Sequence, residues 1–336
     1  MIPIVDGHND ALLRIWRRGG TLLERSDDGH LDLPRMREGG VAAGFFAIFV
    51  PEGDKEPPDP QARVVATGDG WEVPQEGPLP PGRAARVAGE LARIAERDLS
   101  LVRCAADLER CLAGGEPGAI LHLEGAEPAG EELEAWYERG LRSLGPVWSR
   151  PNEYGHGVPF RYPASPDTGP GLTERGRRLV ADCNTLGVLV DCAHLTERGF
   201  FDVAERSEAP LVVTHAGVHA LCPVPRNLTD EQLDAIRNAD GLVGIFFDTV
   251  MTRPDGELVA DTPLATIAAH VEYVAERIGV RHVALGSDWD GCFPPAGLDD
   301  ASKAQAILDA LDWSGDDLRA LAHGNWLRVL HATWRD

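Results

Sequence analysis

The sequence predicts an α/β protein closed into a (β/α)8 TIM barrel, with residues 1–336 forming a single domain. Three observations carry that prediction. Eight short runs rich in apolar and β-branched residues recur along the chain. Stretches with helical spacing or turn residues separate them, and the chain length falls within the roughly 200 to 400 residues such a barrel needs.

In chain order the predicted strands cover residues 2–5, 41–50, 119–123, 141–147, 187–190, 211–213, 242–247 and 282–285. Their near-continuous apolar character suits parallel strands covered on both faces. Between them, residues 84–97, 131–139, 173–186, 230–238 and 263–278 place apolar side chains at three- and four-residue steps, the pattern of helices with one buried face. Residues 318–334 read as a final helix. The segment 51–82 is crowded with Pro, Gly and acidic residues and reads as a loop insertion after the second strand.

Composition narrows the function. The formal net charge is -22, so a phosphate backbone or an anionic membrane would be repelled and nucleic acid is not an expected partner. The N-terminus lacks a cationic stretch followed by an apolar run, and no segment offers about 18 consecutive apolar residues, so we expect a cytoplasmic protein without a membrane anchor. Six cysteines are scattered without CxxC pairs, which predicts reduced, mostly core residues.

Active sites of such barrels collect at the C-terminal ends of the strands, so the residues following each apolar run are the ones to inspect. The first run leads into Asp6-Gly7-His8-Asn9-Asp10 and the third into His122-Leu123-Glu124-Gly125. The fifth leads into Asp191-Cys192-Ala193-His194, the sixth into Thr214-His215, and the eighth into Gly286-Ser287-Asp288-Trp289-Asp290. Imidazole and carboxylate together suit zinc, and a two-lobed carboxylate can bridge two metals. In His8-x-Asp10 the two-residue step directs both side chains to one side of an extended strand end. Neither lysine, Lys55 or Lys303, stands at a strand end to serve as a carboxylated bridge, which leaves Glu124 as the natural bridging group.

Taken together, these motifs resemble the membrane (renal) dipeptidase family of zinc peptidases over nearly the whole length. Pro225-Arg226-Asn227 and Gly324-Asn325-Trp326 add to the match. The resemblance implies a barrel of the metallo-dependent hydrolase type with two Zn2+ per chain. One ion would be held by His8 and Asp10 and the other by His194 and His215, with Glu124 bridging. It further implies that Arg226 contacts the substrate's C-terminal carboxylate, that Asp288 handles the proton, and that small dipeptides are cleaved, including some with a D-configured C-terminal residue. Homodimers are common in that family, and a homodimer is admitted here. Where animal members of the family carry a substrate-contacting histidine after the fourth strand, this chain places Trp148, with Asn152 just beyond it. His156, in the same loop, is a candidate replacement for the missing imidazole. His219, four residues after His215, is expected to lie beyond the site. Two alternatives stay open: hydrolysis of another small amide or lactone, such as an N-acyl amino acid, and a metal-binding barrel without catalysis.

Overall fold

The computed structural model describes residues 1–55, 63–130 and 132–335. Eight parallel strands follow one another around a barrel: Ile4–Asn9, Val41–Phe49, Gly118–Glu124, Leu141–Gly145, Leu189–Val190, Val212–Ala216, Leu242–Ile245 and Val283–Leu285. Each of the eight predicted runs lies on one of them. Consecutive strands pair in parallel from the first to the fifth and again from the sixth to the eighth. Two seams complete the circle. At one, Cys192 N–H donates to Val212 O at 2.8 Å; at the other, Asp10 N–H donates to Trp289 O at 2.8 Å and Asp288 N–H to His8 O at 2.9 Å. The hydrogen bonds that close the barrel are therefore made by the segments that carry the candidate site.

The lower barrel is filled by Val5, Phe45, Ile120, Leu189, Val212, Leu242 and Ala284, with Trp326 plugging the end. Trp326 donates its indole N–H to Leu285 O at 3.1 Å and packs on Phe45 with ring centroids 4.7 Å apart. A side chain at Gly7 would collide with Thr214 O and the Trp326 ring, each 2.5 Å from its Cβ, so this close approach requires glycine. Truncating an aromatic plug of this kind typically costs about 3–5 kcal/mol.

The predicted helices appear as Arg83–Asp98, Leu133–Arg139, Glu174–Leu186, Asp230–Asn238 and Leu264–Ile278. Residue 131, the predicted start of the second, lies outside the described residues. The Asp230–Asn238 helix begins where predicted because Thr229 and Gln232 form a reciprocal capping box. The C-terminal expectation needs correction: residues 318–334 are not one regular helix. A short helix Gly315–Arg319, a wider π-type turn Ala320–Gly324 and the helix Asn325–Thr333 follow one another. The insertion at 51–82 is likewise more than loop. Residues 56–62 lie outside the described residues, but Val65–Thr67 and Gly70–Glu72 form a hairpin that pairs with Arg161–Tyr162 as a small antiparallel side sheet. All six cysteines are free, and all but Cys104 are buried.

Candidate metal centre and active site

The first strand runs through His8 and ends at Asn9, leaving Asp10 as the residue preceding the helix Ala11–Arg18. Asp10 is therefore not extended, yet its carboxylate still reaches His8, with Oδ2 3.7 Å from Nε2. Glu124, the last residue of the third strand, places Oε1 2.9 Å from His194 Nε2, 3.7 Å from His8 Nε2 and 3.8 Å from His215 Nε2. His194 and His215 face each other with Nε2 atoms 3.2 Å apart. Three sets of potential ligand atoms, each set within 4.8 Å, follow: His8, Asp10 and Glu124; Glu124, His194 and His215; and His8, His215 and Asp288. Glu124 is shared by the first two, as a bridging carboxylate would be. All six residues are buried.

Two of these side chains project from strained backbone. His194 has φ 66° and Asp288 φ 62°, a left-handed conformation that non-glycine residues adopt at a cost and that recurs at functional sites. Hydrogen bonds fix the rings from behind. Ser149 Oγ lies 2.8 Å from His194 Nδ1, and Thr214 Oγ1 lies 2.9 Å from His215 Nδ1. Thr214 Oγ1 also donates to Asp191 Oδ2 at 2.6 Å, and Asp191 Oδ1 accepts the backbone N–H of Thr214 and Ala193. These contacts leave the Nε2 atoms of both rings pointing at Glu124, the arrangement by which outer groups orient metal-binding imidazoles. Sequence reasoning missed Ser149, Thr214 and Asp191 in this supporting role. Their motifs were visible, but the pairing with ring nitrogens arises only when separate strand ends meet.

The electrostatics demand added positive charge. Burial alone would push His8 down, but Glu124 and Asp10 overcome it and raise its pKa to about 10. Burial raises Glu124 to about 8 and Asp288 well above the usual carboxylate range. Burial, reinforced by neighbouring cations, holds His194 and His215 well below the ordinary imidazole value, so both are neutral and able to donate lone pairs. Among the described residues, both ring nitrogens of His8 and Oδ1 of Asp10 are buried without a hydrogen-bond partner. Orphaned polar atoms of this number at one place are rare in a native interior. Imidazole and carboxylate donors left open in this way fit divalent metal ions.

Arg226 is buried beside the cluster and uses one Nη2–H on His215 O at 3.1 Å, while its Nε has no partner among the described residues. Burial lowers its pKa, but Asp288, Glu124, Asp191 and Asp248 oppose the shift. Trp148 stands against the cluster, its ring 5.8 Å from that of His194 and between Phe49 and Phe160. The structure does not bring Asn152 and His156 into the cluster. Asn152 gives its amide N–H to Pro146 O and accepts the backbone N–H groups of Tyr154 and Gly155, so both ends of its side chain brace the loop. His156 touches the neighbourhood through its backbone, whose carbonyl accepts from Thr196 N–H. His219 lies beyond the site, with Nε2 3.0 Å from Ala164 O.

With this geometry in view, the family model described as membrane dipeptidase, peptidase family M19, matches residues 1–335. The chain belongs to the membrane dipeptidase family. This dipeptidase-family chain is 31% identical over 350 residues to dipeptidase aclJ of Aspergillus oryzae, covering 98% of the present chain and 78% of that one. A metallo peptidase from Rhodobacter sphaeroides, liganded with a phosphinate mimic of the dipeptide L-Ala-D-Ala, superposes with TM-score 0.91 at 43% identity over 99% of each chain. Dipeptidase AC, a metallo peptidase of family M19, does so with TM-score 0.92 at 44% identity, again over 99% of each. Full-length likeness at this level makes the chain an enzyme of the metallo-dipeptidase family on a TIM-barrel scaffold. Among the described residues no helix is long and apolar enough to cross a membrane.

Proposed function

We propose that this enzyme is a binuclear zinc dipeptidase that hydrolyses free dipeptides, including those with a D-configured C-terminal residue. The observation that carries the reading is the shared position of Glu124 Oε1, facing His8 on one side and His194 and His215 on the other. His8 and Asp10 would hold one ion, His194 and His215 the other, and Glu124 both. Two zinc ions so held would supply a water-derived nucleophile at neutral pH and polarise the scissile carbonyl.

The chain's own residues do the rest. Arg226 has guanidinium N–H groups left to grip the substrate's C-terminal carboxylate after its single bond to His215 O. The Asp288 carboxyl group, buried within ligand-atom reach of His8 and His215, takes a proton from the attacking water and returns it to the leaving amine. The Trp148 indole N–H is offered to the carbonyl oxygen in place of the histidine found in animal relatives. Acceptance of a D-residue is supported by the L-Ala-D-Ala mimic bound to the Rhodobacter sphaeroides relative. Trp148 also keeps a second reading in play, hydrolysis of N-acyl amino acids or lactones. Purified enzyme incubated with L,L and L,D dipeptides, N-acyl amino acids and lactones separates the two. Turnover confined to the dipeptides is expected, and turnover confined to the other classes would overturn the proposal.

A further inference from the structure

A cavity of about 680 Å³ lies beside the candidate metal centre, with Gly291 and Phe160 as the lining residues next to it. Its inner wall includes Gly291, whose Cα lies so close to the carboxylates that an added Cβ would stand 2.3 Å from Asp10 Oδ2 and 2.4 Å from Asp288 Oδ1. Another wall is Phe160, whose ring lies 6.3 Å from that of His194. A molecule reacting at the cluster has this space within reach of its side chains.

The lining is mostly apolar. Trp71 comes from the side sheet, Phe160 from the segment leading into it, Met251 from the short helix Thr249–Thr252 after the seventh strand, and Leu258 and Phe293 from loops after the last two strands. Trp71 is fixed by its indole N–H, which donates to Gly256 O at 2.8 Å, and Tyr162 by its hydroxyl, which donates to Pro254 O at 2.6 Å. These bonds tie the side sheet to the loop after the seventh strand and hold the two walls apart at a set width. Phe293 and Leu258 are 41% and 38% exposed, apolar surface of this cavity that a bound apolar group would cover. Two acids also line the space. Asp248 is already used, accepting Val250 N–H at 2.9 Å as the cap of a short helix, and Glu257 is exposed. Neither supplies a free anion at the centre of the cavity.

We infer that this cavity is a side-chain subsite for a large apolar or aromatic residue of the substrate, with the side sheet as its specificity wall. The inference rests on the dipeptidase reading and narrows it to bulky apolar dipeptides. Fully burying a phenylalanine side chain against such walls favours it over alanine by roughly 10- to 100-fold in kcat/KM.

The test is kcat/KM of the metal-loaded enzyme for Ala-Ala, Phe-Ala, Ala-Phe, Arg-Ala and Ala-Arg. Phenylalanine should be preferred over alanine and arginine in at least one position. In Phe293→Ser that preference should fall by about tenfold, and Phe293→Leu should restore most of it. Hydrolysis of Ala-Ala without any preference for phenylalanine would overturn the subsite while leaving the dipeptidase reading standing. A preference for arginine, or a phenylalanine preference that Phe293→Ser leaves unchanged, would also overturn it. Failure to cleave any of the five would instead remove the reading on which it rests.

Discussion

Replacing Arg226 with methionine tests how the substrate is held. A guanidinium carries five N–H donors, and the structure commits one Nη2–H of Arg226, to His215 O at 3.1 Å. A charge-assisted contact to a carboxylate contributes about 1.5–3 kcal/mol, so Arg226→Met should lower kcat/KM for a free dipeptide by roughly 10- to 150-fold. The same substitution removes the bond to His215 O and one positive charge near Glu124 and Asp288. Those losses apply whatever the substrate's terminus. The assay therefore compares wild type and variant on one dipeptide and on its C-terminal amide, which offers no negative charge. In the ratio of ratios, general damage to the centre cancels and only the carboxylate contact remains. Most of the loss should vanish for the amide. Equal impairment on both substrates would refute the contact and make Arg226 a support for the His215 strand end.

Asp288→Asn should keep the metal content nearly intact while kcat falls by about 10²-fold or more, the scale of removing a general acid or base. Because Asp288 also lies within ligand reach of His8 and His215, metal loss in that variant would reassign it to metal binding. Gly291→Ala should press on the carboxylates of Asp10 and Asp288 and weaken metal binding by about 10- to 100-fold, with the far-ultraviolet circular dichroism unchanged. Unchanged affinity would show that the turn yields freely. Away from the centre, His270 is buried between Val218 N–H, which it accepts, and Thr252 O, and burial lowers its pKa to about 4. The folded value lies below the unfolded one of about 6.5, so its contribution is complete above pH 6.5 and is lost as pH falls towards 4. That loss amounts to about 3 kcal/mol, and urea unfolding should be less pH-dependent across this window in His270→Asn; an unchanged slope would contradict it.

Much of this fold was legible because buried parallel strands read as apolar runs whatever surrounds them. Val41–Phe49 and Gly118–Glu124 announce themselves in that way, and Glu124 ends its strand as expected. The metal-facing residues could be listed because barrel geometry gathers strand ends at one mouth. Their exact presentation could not. His194 and Asp288 sit in left-handed backbone, which only closure of the barrel and the surrounding hydrogen bonds sustain. The side sheet escaped notice because Gly70–Glu72 pairs with Arg161–Tyr162 across some ninety residues, and a segment rich in Pro and Gly carries no local strand signal. Asn152 looked available for substrate because the sequence does not reveal that Pro146, Tyr154 and Gly155 occupy its amide. The single predicted C-terminal helix concealed the wider turn at Ala320–Gly324, since helical spacing alone does not distinguish a regular turn from an expanded one.

The central claim is a pair of zinc ions bridged by Glu124. Elemental analysis of protein purified without chelator, set beside Glu124→Gln, measures it most directly. Close to two zinc ions per wild-type chain are expected and, because one carboxylate serves both sites, loss of both ions together with activity in the variant. One ion or none in active wild-type enzyme, or a Glu124→Gln protein that keeps two ions, would contradict it.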